Sequence, residues 1–156
     1  MEICRVSFIG HRTLYNQRQI EIRIEEIIVK LIEEKEHVEI YVCRNGDFDI
    51  LVASAIKRMQ KEYGNHNSCL IVVFPYPMKD DEYYEKYYDE IVFPISYKIH
   101  FKRAIIGRNK WIVENSELLI CYVETSSGGA YTCMEYAKKT IKNLADVSNF
   151  ENKKDT

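Results

Sequence analysis

The stretch that decides the fold covers residues 118–135, LLICYVETSSGGAYTCME. Residues 118–123 form an apolar run typical of a buried strand, small residues follow it, and a helical pattern begins after them. A strand that leads through small residues into a helix leaves backbone N–H groups free at the helix N-terminus, where they attract anions. We therefore expect a phosphate-bearing ligand at Ser126, Ser127, Gly128 and Gly129.

Composition limits the class of protein. The 156 residues are 46% hydrophobic and 29% charged, which is typical of one globular domain with a single core. The 22 basic and 24 acidic side chains produce no net field that would attract nucleic acid or an anionic membrane. No apolar run approaches the roughly 20 residues of a membrane span, and the N-terminus lacks the pattern of a signal peptide, so we expect a cytoplasmic protein.

Strand-like and helical segments alternate along the chain. Apolar and β-branched runs predict strands at residues 3–9, 38–43, 70–74, 91–94 and 118–123, with a further edge strand at 146–150. Helical periodicity predicts helices at residues 16–34, from 47 to about 64, from 99 to an interruption at Gly107, from 108 to 115, and at 129–144. The alternation predicts an α/β fold in which helices cover both faces of a mostly parallel sheet of about five or six strands. One domain is expected over residues 1–150, followed by a polar tail at 151–156.

In such a sheet, ligands bind beyond the carboxyl ends of the strands, near the point where strand order reverses. The polar residues just after each strand are therefore expected to meet at one crevice: Gly10, His11, Arg12, Asn45, Gly46, Asp47, Tyr76 and the segment 126–129. The chain has neither G-x-G-x-x-G after the first strand nor G-K-[ST], which argues against dinucleotide oxidoreductases and P-loop NTPases. No His, Cys, Asp or Glu spacing predicts a metal site, and no cofactor is predicted.

Four segments together resemble a known family. They are FIGHR at residues 8–12, GDFD at 46–49, the segment 108–120, and the glycine motif at 127–135. In their order and spacing the chain resembles the SLOG superfamily, the Rossmann-like group that contains the DNA-processing proteins and the LOG phosphoribohydrolases. It is most similar to the small single-domain bacterial SLOG proteins of unassigned activity. The resemblance implies a Rossmann-like three-layer sandwich that binds or senses a nucleotide or nucleotide-derived ligand.

LOG enzymes carry P-G-G-x-G-T-x-x-E and cleave the N-glycosidic bond of a nucleoside monophosphate. Here Ser127 replaces the proline and Tyr131 the third glycine of that motif. The resemblance implies an alternative function as a hydrolase or transferase at the N-glycosidic bond, with Glu135 and Arg108 as its catalytic residues. Tyr131 lies where it could fill space that the LOG substrate needs, which argues against the hydrolase. LOG relatives also suggest a homodimer.

Each candidate residue also has an ordinary structural interpretation. Gly128 and Gly129 form either an anion cradle or a tight turn, and Arg12 is favoured over His11 as the second phosphate ligand because its fork matches phosphate oxygens. Asp47 is either a helix N-cap or a ligand for ribose hydroxyls. Thr132 either adds a hydroxyl to the site or bonds to nearby backbone.

Three further features have two interpretations each. Glu135 either faces the crevice or is a solvated helix residue, and Arg108 either starts a short helix near the ligand or pairs with a surface acid. Cys133, in the first turn of a helix, has either a lowered pKa or a packed thiol. The acidic, tyrosine-rich segment 80–90 is either a lid or a solvated face.

The DNA-processing branch suggests nucleic-acid binding as a third function, and a group of basic residues fits it: Lys98, Lys102, Arg103, Arg108 and Lys110. The net charge of −2 argues against this function.

Overall fold

The computed structural model describes residues 2–79, 81–95, 98–140 and 143–148. Its strands are β1 (Ile3–Gly10), β2 (His37–Val42), β3 (Ser68–Val73), β4 (Glu90–Val92), β5 (Leu118–Tyr122) and β6 (Asn143–Asp146). Its helices are α1 (Gln17–Glu34), α2 (Asp47–Tyr63), α3 (Asp81–Tyr87), α4 (Phe101–Glu114) and α5 (Gly129–Thr140).

The six strands form one sheet in the order β4-β3-β2-β1-β5-β6, and every neighbouring pair is parallel. The chain builds outward from β1 to β4 on one side, then returns to place β5 on the other side of β1. Strand order therefore reverses between β1 and β5. The predicted α/β class is confirmed, and the predicted mostly parallel sheet is entirely parallel in the described residues.

Helices cover both faces of this sheet because the strand side chains alternate between two hydrophobic clusters. In β1, Val6 and Phe8 belong to the cluster that packs against α1 and α2, whereas Ile9 belongs to the cluster that packs against α4 and α5. The buried face of α1 repeats every four residues, at Ile20, Ile24, Ile28 and Ile32. The result is the three-layer architecture expected from the alternating pattern.

The structure corrects the predicted interruption at Gly107. Helix α4 is continuous from Phe101 to Glu114. A Cβ on Gly107 would lie 2.8 Å from Cδ1 of Ile95, so the glycine marks a close contact between the helix and a neighbouring side chain. A glycine inside a helix lowers its intrinsic stability, but tertiary packing decides the outcome here.

Two further boundaries differ from the prediction. Helix α5 ends at Thr140 and Leu144 belongs to β6, so the edge strand begins three residues before the predicted 146. Gly46 occupies the N-cap position of α2 and no side chain caps it, so Asp47 is a first-turn residue and not the cap. The predicted tail at 151–156, and residues 149–150 of the predicted edge strand, lie outside the described residues. No helix in the described part of the chain has both the length and the apolar character needed to cross a bilayer.

Candidate ligand-binding cleft

A cleft of about 360 Å³ lies at the carboxyl ends of the strands, where strand order reverses. Gly10, His11 and Arg12 reach it from the end of β1, and Asn45 reaches it from the segment after β2. Gly128 and Gly129 reach it from the start of α5. The structure therefore brings these six predicted residues together, because parallel strands deliver their carboxyl ends to the same edge of a sheet.

The chain around Gly10 and Gly46 packs so closely against its neighbours that no residue larger than glycine fits at either position. A Cβ on Gly10 would lie 2.4 Å from Cδ2 of Phe48, and a Cβ on Gly46 would lie 2.5 Å from Cα of Arg12. The backbone N–H of Asp47 donates to the carbonyl of Arg12 at 2.9 Å. Gly10 and Gly46 thus permit the close approach that holds Arg12 at the cleft.

His11 supports the loop that follows β5. Its backbone N–H donates to the carbonyl of Tyr122 at 3.2 Å, and its Nε2 accepts from the backbone N–H of Glu124 at 3.0 Å. Because Nε2 is an acceptor, the neutral ring carries its proton on Nδ1. The histidine lines the cleft and also fixes the direction in which the chain leaves β5 toward the glycines.

The glycine segment leaves the N-terminus of α5 open. Gly128 has φ of 97°, a left-handed conformation that favours glycine, and a Cβ on Gly128 or Gly129 would meet no heavy atom within 4 Å. The first helical hydrogen bond runs from the backbone N–H of Thr132 to Gly128 at 3.0 Å, so the preceding amides at the helix start have no helical acceptor. These amides, together with the helix dipole, favour an anion.

Ser126 and Ser127 are exposed and do not line the cleft. The Thr125 hydroxyl donates to the carbonyl of Ser127 at 3.2 Å, and the Thr132 hydroxyl donates to the carbonyl of Gly128 at 3.0 Å. These bonds hold the turn from both sides. Thr132 therefore has the backbone role that was the alternative to ligand contact, and it lines a separate groove between α4 and α5.

Arg12 is exposed at the cleft, and its guanidinium forms no hydrogen bond or ion pair with the part of the chain that the structure describes. A guanidinium without a protein partner retains all its donors for a carboxylate or phosphate. Asp47 lies elsewhere, in a depression shared with Gln17 and Glu21. The structure thus places Arg12, and not Asp47, at the cleft.

Asp49 lines the cleft and was not among the residues selected from the sequence. Its side chain is only 4% exposed, Oδ2 accepts from the backbone N–H of Asn45 at 2.9 Å, and Oδ1 has no partner among the described residues. Burial raises the pKa of this carboxyl from 3.8 to about 6, although the Asn45 amide, the Arg108 charge and the Gly46 amide lower it in part. The sequence signal was an acid on the apolar face of α2, three residues before the buried Val52.

Arg108 lies in the middle of α4 and is fully buried, so it neither starts a short helix nor pairs at the surface. Its Nη1 donates to the carbonyl of Val73 at 3.3 Å and its Nε to Oδ1 of Asn109 at 2.8 Å. Its Nη2 has no partner in the described residues. The side chain does not line the cleft, but its helical neighbours Ile105 and Asn109 do.

Glu135 lies outside the cleft-lining residues. Its carboxylate is 41% exposed and pairs with Nζ of Lys138 at 3.0 Å. The cause is its position on α5, where Ala130, Cys133, Met134 and Ala137 form the buried face. The structure therefore does not bring Glu135 to Arg12 and the glycines.

Cys133 is buried, and desolvation raises the pKa of its thiol to about 12. Of the two interpretations, the structure therefore shows the packed thiol, because burial outweighs the dipole. Cys43 at the cleft behaves in the same way, with its pKa raised to about 12 by burial. Among the described residues, no group of three or more His, Cys, Asp or Glu side chains is suited to hold a metal ion.

The described residues of the tyrosine-rich segment pack beside the sheet, and none of them lines the cleft. The guanidinium of Arg44 lies 5.2 Å from the ring centre of Tyr84 and donates to the Tyr88 hydroxyl at 2.9 Å. Tyr84 and Tyr87 pack against the core cluster on the α1 and α2 side. This arrangement matches the interpretation as a partly solvated face and places no tyrosine of the segment over the cleft.

No protein-family model and no curated protein matches this chain.

Proposed function

We propose that the protein binds a nucleotide or nucleotide-derived ligand in this cleft and acts as a binding or sensing domain of the SLOG type. The observation that supports this most is the meeting of Arg12 and the unobstructed N-terminus of α5 at the strand-order reversal. Both are anion-binding features, and each comes from a different part of the chain. A phosphate between them would receive backbone N–H donors from one side and a guanidinium from the other.

The cleft volume agrees with this proposal. About 360 Å³ lies at the lower end of the range for small-molecule sites, which suits a mononucleotide-sized ligand. Ile105 supplies an apolar wall, and Asn45, Asn109 and Asp49 supply polar groups for the remainder of the ligand. The resemblance of residues 8–12, 46–49 and 127–135 to SLOG signatures supports the same proposal, because these segments meet at or beside the cleft.

The two residues predicted to catalyse the hydrolytic alternative do not line the cleft. Glu135 pairs with Lys138 outside the cleft, and Arg108 is buried behind the cleft wall. An oxocarbenium-like transition state needs a carboxylate close to the sugar carbon. Asp49 is the acidic residue among the described residues that line the cleft.

A thermal-shift panel tests the proposal. The protein is mixed with nucleoside mono- and diphosphates, cyclic nucleotides and ADP-ribose at millimolar concentration, with inorganic phosphate as a separate arm. A ligand present at 100 times its Kd adds about 2.7 kcal/mol to the free energy of unfolding, which raises Tm by several degrees. A panel without any shift would refute the proposal.

Two matched variants locate the binding. Gly129→Asp places a carboxylate at the first position of α5, where the helix dipole stabilises it but where it repels phosphate. Gln19→Asp places the same charge in the first turn of α1, away from the cleft. We expect Gly129→Asp to abolish the shift and Gln19→Asp to retain it. Equal shifts in the two variants would contradict a phosphate site at α5.

A further inference from the structure

A second cavity, the α4–α5 groove, adjoins the cleft and has a volume of about 280 Å³. Ile105, Asn109 and Gly129 line both the groove and the cleft. Gly129 is the first residue of α5, so the groove begins beside the open helix N-terminus. A ligand whose phosphate is held at that N-terminus can therefore extend from the cleft into the groove.

Apolar side chains form most of the groove wall. Ile105 and Ile106 extend from α4, and Tyr136 extends from α5. Ile106 is 54% exposed, which leaves its side chain available to contact a bound group. The Thr132 hydroxyl already donates to the carbonyl of Gly128, so it adds little polarity to the wall. A concave apolar surface next to an anion site suits a ligand that has an apolar part beside its charged part.

Asn109 supplies a polar group where the groove meets the cleft. Its Oδ1 accepts from Nε of the buried Arg108 at 2.8 Å, which fixes the orientation of the amide. Its NH2 group forms no hydrogen bond with the described residues, so both of its donors remain available. Sugar oxygens and the ring nitrogens or carbonyls at the edge of a base are acceptors that match these donors.

The parts of a nucleotide differ in the surroundings that they need. Its phosphate needs the donors of Arg12 and the α5 amides, which lie on the cleft side. Its sugar is polar and separates the phosphate from the base. The base has two apolar faces, which pack favourably against apolar or aromatic side chains. The order of these parts matches the order of the cleft, the Asn109 junction and the groove.

We propose that the base of the bound nucleotide lies in the α4–α5 groove in contact with Ile106 and Tyr136, while its phosphate lies in the cleft. The inference rests on the proposed nucleotide function and extends it to the position of the base. Asn109 then lies beside the sugar and the near edge of the base, where its NH2 donates a hydrogen bond.

Isothermal titration calorimetry with the full chain tests this position. The probes are the four ribonucleoside 5′-monophosphates and ribose 5-phosphate, which keeps the phosphate and sugar but lacks the base. Burial of an apolar group as large as a base strengthens binding by roughly tenfold to a hundredfold. We expect the tightest nucleotide to bind at least about tenfold more tightly than ribose 5-phosphate.

Ile106→Ser removes part of the groove wall at an exposed position, so the fold should persist, as circular dichroism will show. Nucleotide binding should weaken by about threefold to tenfold, and ribose 5-phosphate binding should stay within about twofold. Ile22→Ser is the matched control, because Ile22 is 40% exposed on α1 and lines neither cavity. It should leave both affinities unchanged. With isotope-labelled isoleucine methyl groups, a nuclear Overhauser effect should join a base proton to the Ile106 methyl.

The outcomes separate the two proposals. Equal affinities for nucleotide and ribose 5-phosphate overturn the base position and leave the phosphate site in place. Unchanged nucleotide affinity in Ile106→Ser, or equal weakening of both probes, overturns the base position as well. If Ile106→Ser instead converts a dimer to a monomer in sedimentation without changing nucleotide affinity, the groove holds a second copy of the chain and the base position is wrong. Absence of binding by every probe overturns both proposals.

Discussion

Replacing Asp49 by Asn should make the protein more stable at neutral pH, because it removes a buried charge. Burial raises the pKa of the carboxyl from 3.8 to about 6 in the folded chain. The folded state then holds a proton more tightly than the unfolded state. The stability that this bound proton contributes is complete below the pKa of Asp49 in the unfolded state. It is lost as pH rises through the pKa of Asp49 in the folded state.

The size of this loss of stability follows from the pKa shift of Asp49. A difference of about two pKa units corresponds to about 3 kcal/mol between the acid limit and neutral pH. The side chain is 4% exposed, so solvent screening reduces this figure little. About 2 kcal/mol of the loss falls between about pH 4.5 and pH 7.5. Asn cannot ionise, so the unfolding free energy of Asp49→Asn relative to the unmodified protein should rise by that amount over the same pH interval.

Urea unfolding followed by circular dichroism measures this difference at both pH values. The decisive quantity is how the difference in unfolding free energy between Asp49→Asn and the unmodified protein changes with pH. Any pH-independent effect of the amide group cancels in this comparison. Asp47→Asn is the matched control, because it removes the same charge from an exposed site in the first turn of α2. That variant should lose roughly 0.3–1 kcal/mol through the helix dipole and show no such growth with pH. If the difference in unfolding free energy between Asp49→Asn and the unmodified protein is the same at both pH values, the reasoning is refuted.

Further substitutions test individual contacts. Gly10→Ala would drive a methyl group into the ring of Phe48, 2.4 Å from Cδ2, and should cost about 1–3 kcal/mol of unfolding free energy in urea denaturation. His11→Ala removes the acceptor of a loop amide and should cost about 1 kcal/mol in the same assay, with faster hydrogen exchange after β5 as its signature. The thiol of Cys133, with its pKa raised to about 12, should resist iodoacetamide in the native protein and react after unfolding, as read by mass spectrometry. Glu135→Ala should leave nucleotide affinity within about twofold by calorimetry, because the side chain lies outside the cleft.

The sheet and most element boundaries could be predicted because they depend on local patterns. Apolar runs bounded by glycine located β1 and β5, and the four-residue repeat of isoleucines located α1. The same reasoning failed at Gly107, because the packing of Ile95 against a helix cannot be read from the helix alone. It also extended α5 as far as Leu144, which pairs with Leu119 in the sheet instead.

The candidate site shows the same division. Gly10, His11 and Arg12 could be selected in advance, since a parallel sheet delivers its carboxyl ends to one edge. The same rule also selected Tyr76, which follows β3 but does not line the cleft. Residues beyond the first position of a helix could not, because a rotation of one position decides whether a side chain meets the cleft or the solvent. Asp47 and Asp49 are two positions apart, and only Asp49 reaches the cleft.

The sequence by itself determined the α/β class, the parallel sheet, and the small residues that open the N-terminus of α5. These follow from hydrophobic periodicity and backbone geometry, which act over a few residues. Tertiary structure alone decided that Arg108 is buried, that Glu135 pairs with Lys138, and that Asp49 is buried with one oxygen unpartnered among the described residues. Burial and hydrogen bonding are relations between segments far apart in the chain, so they exist only once the layers have packed.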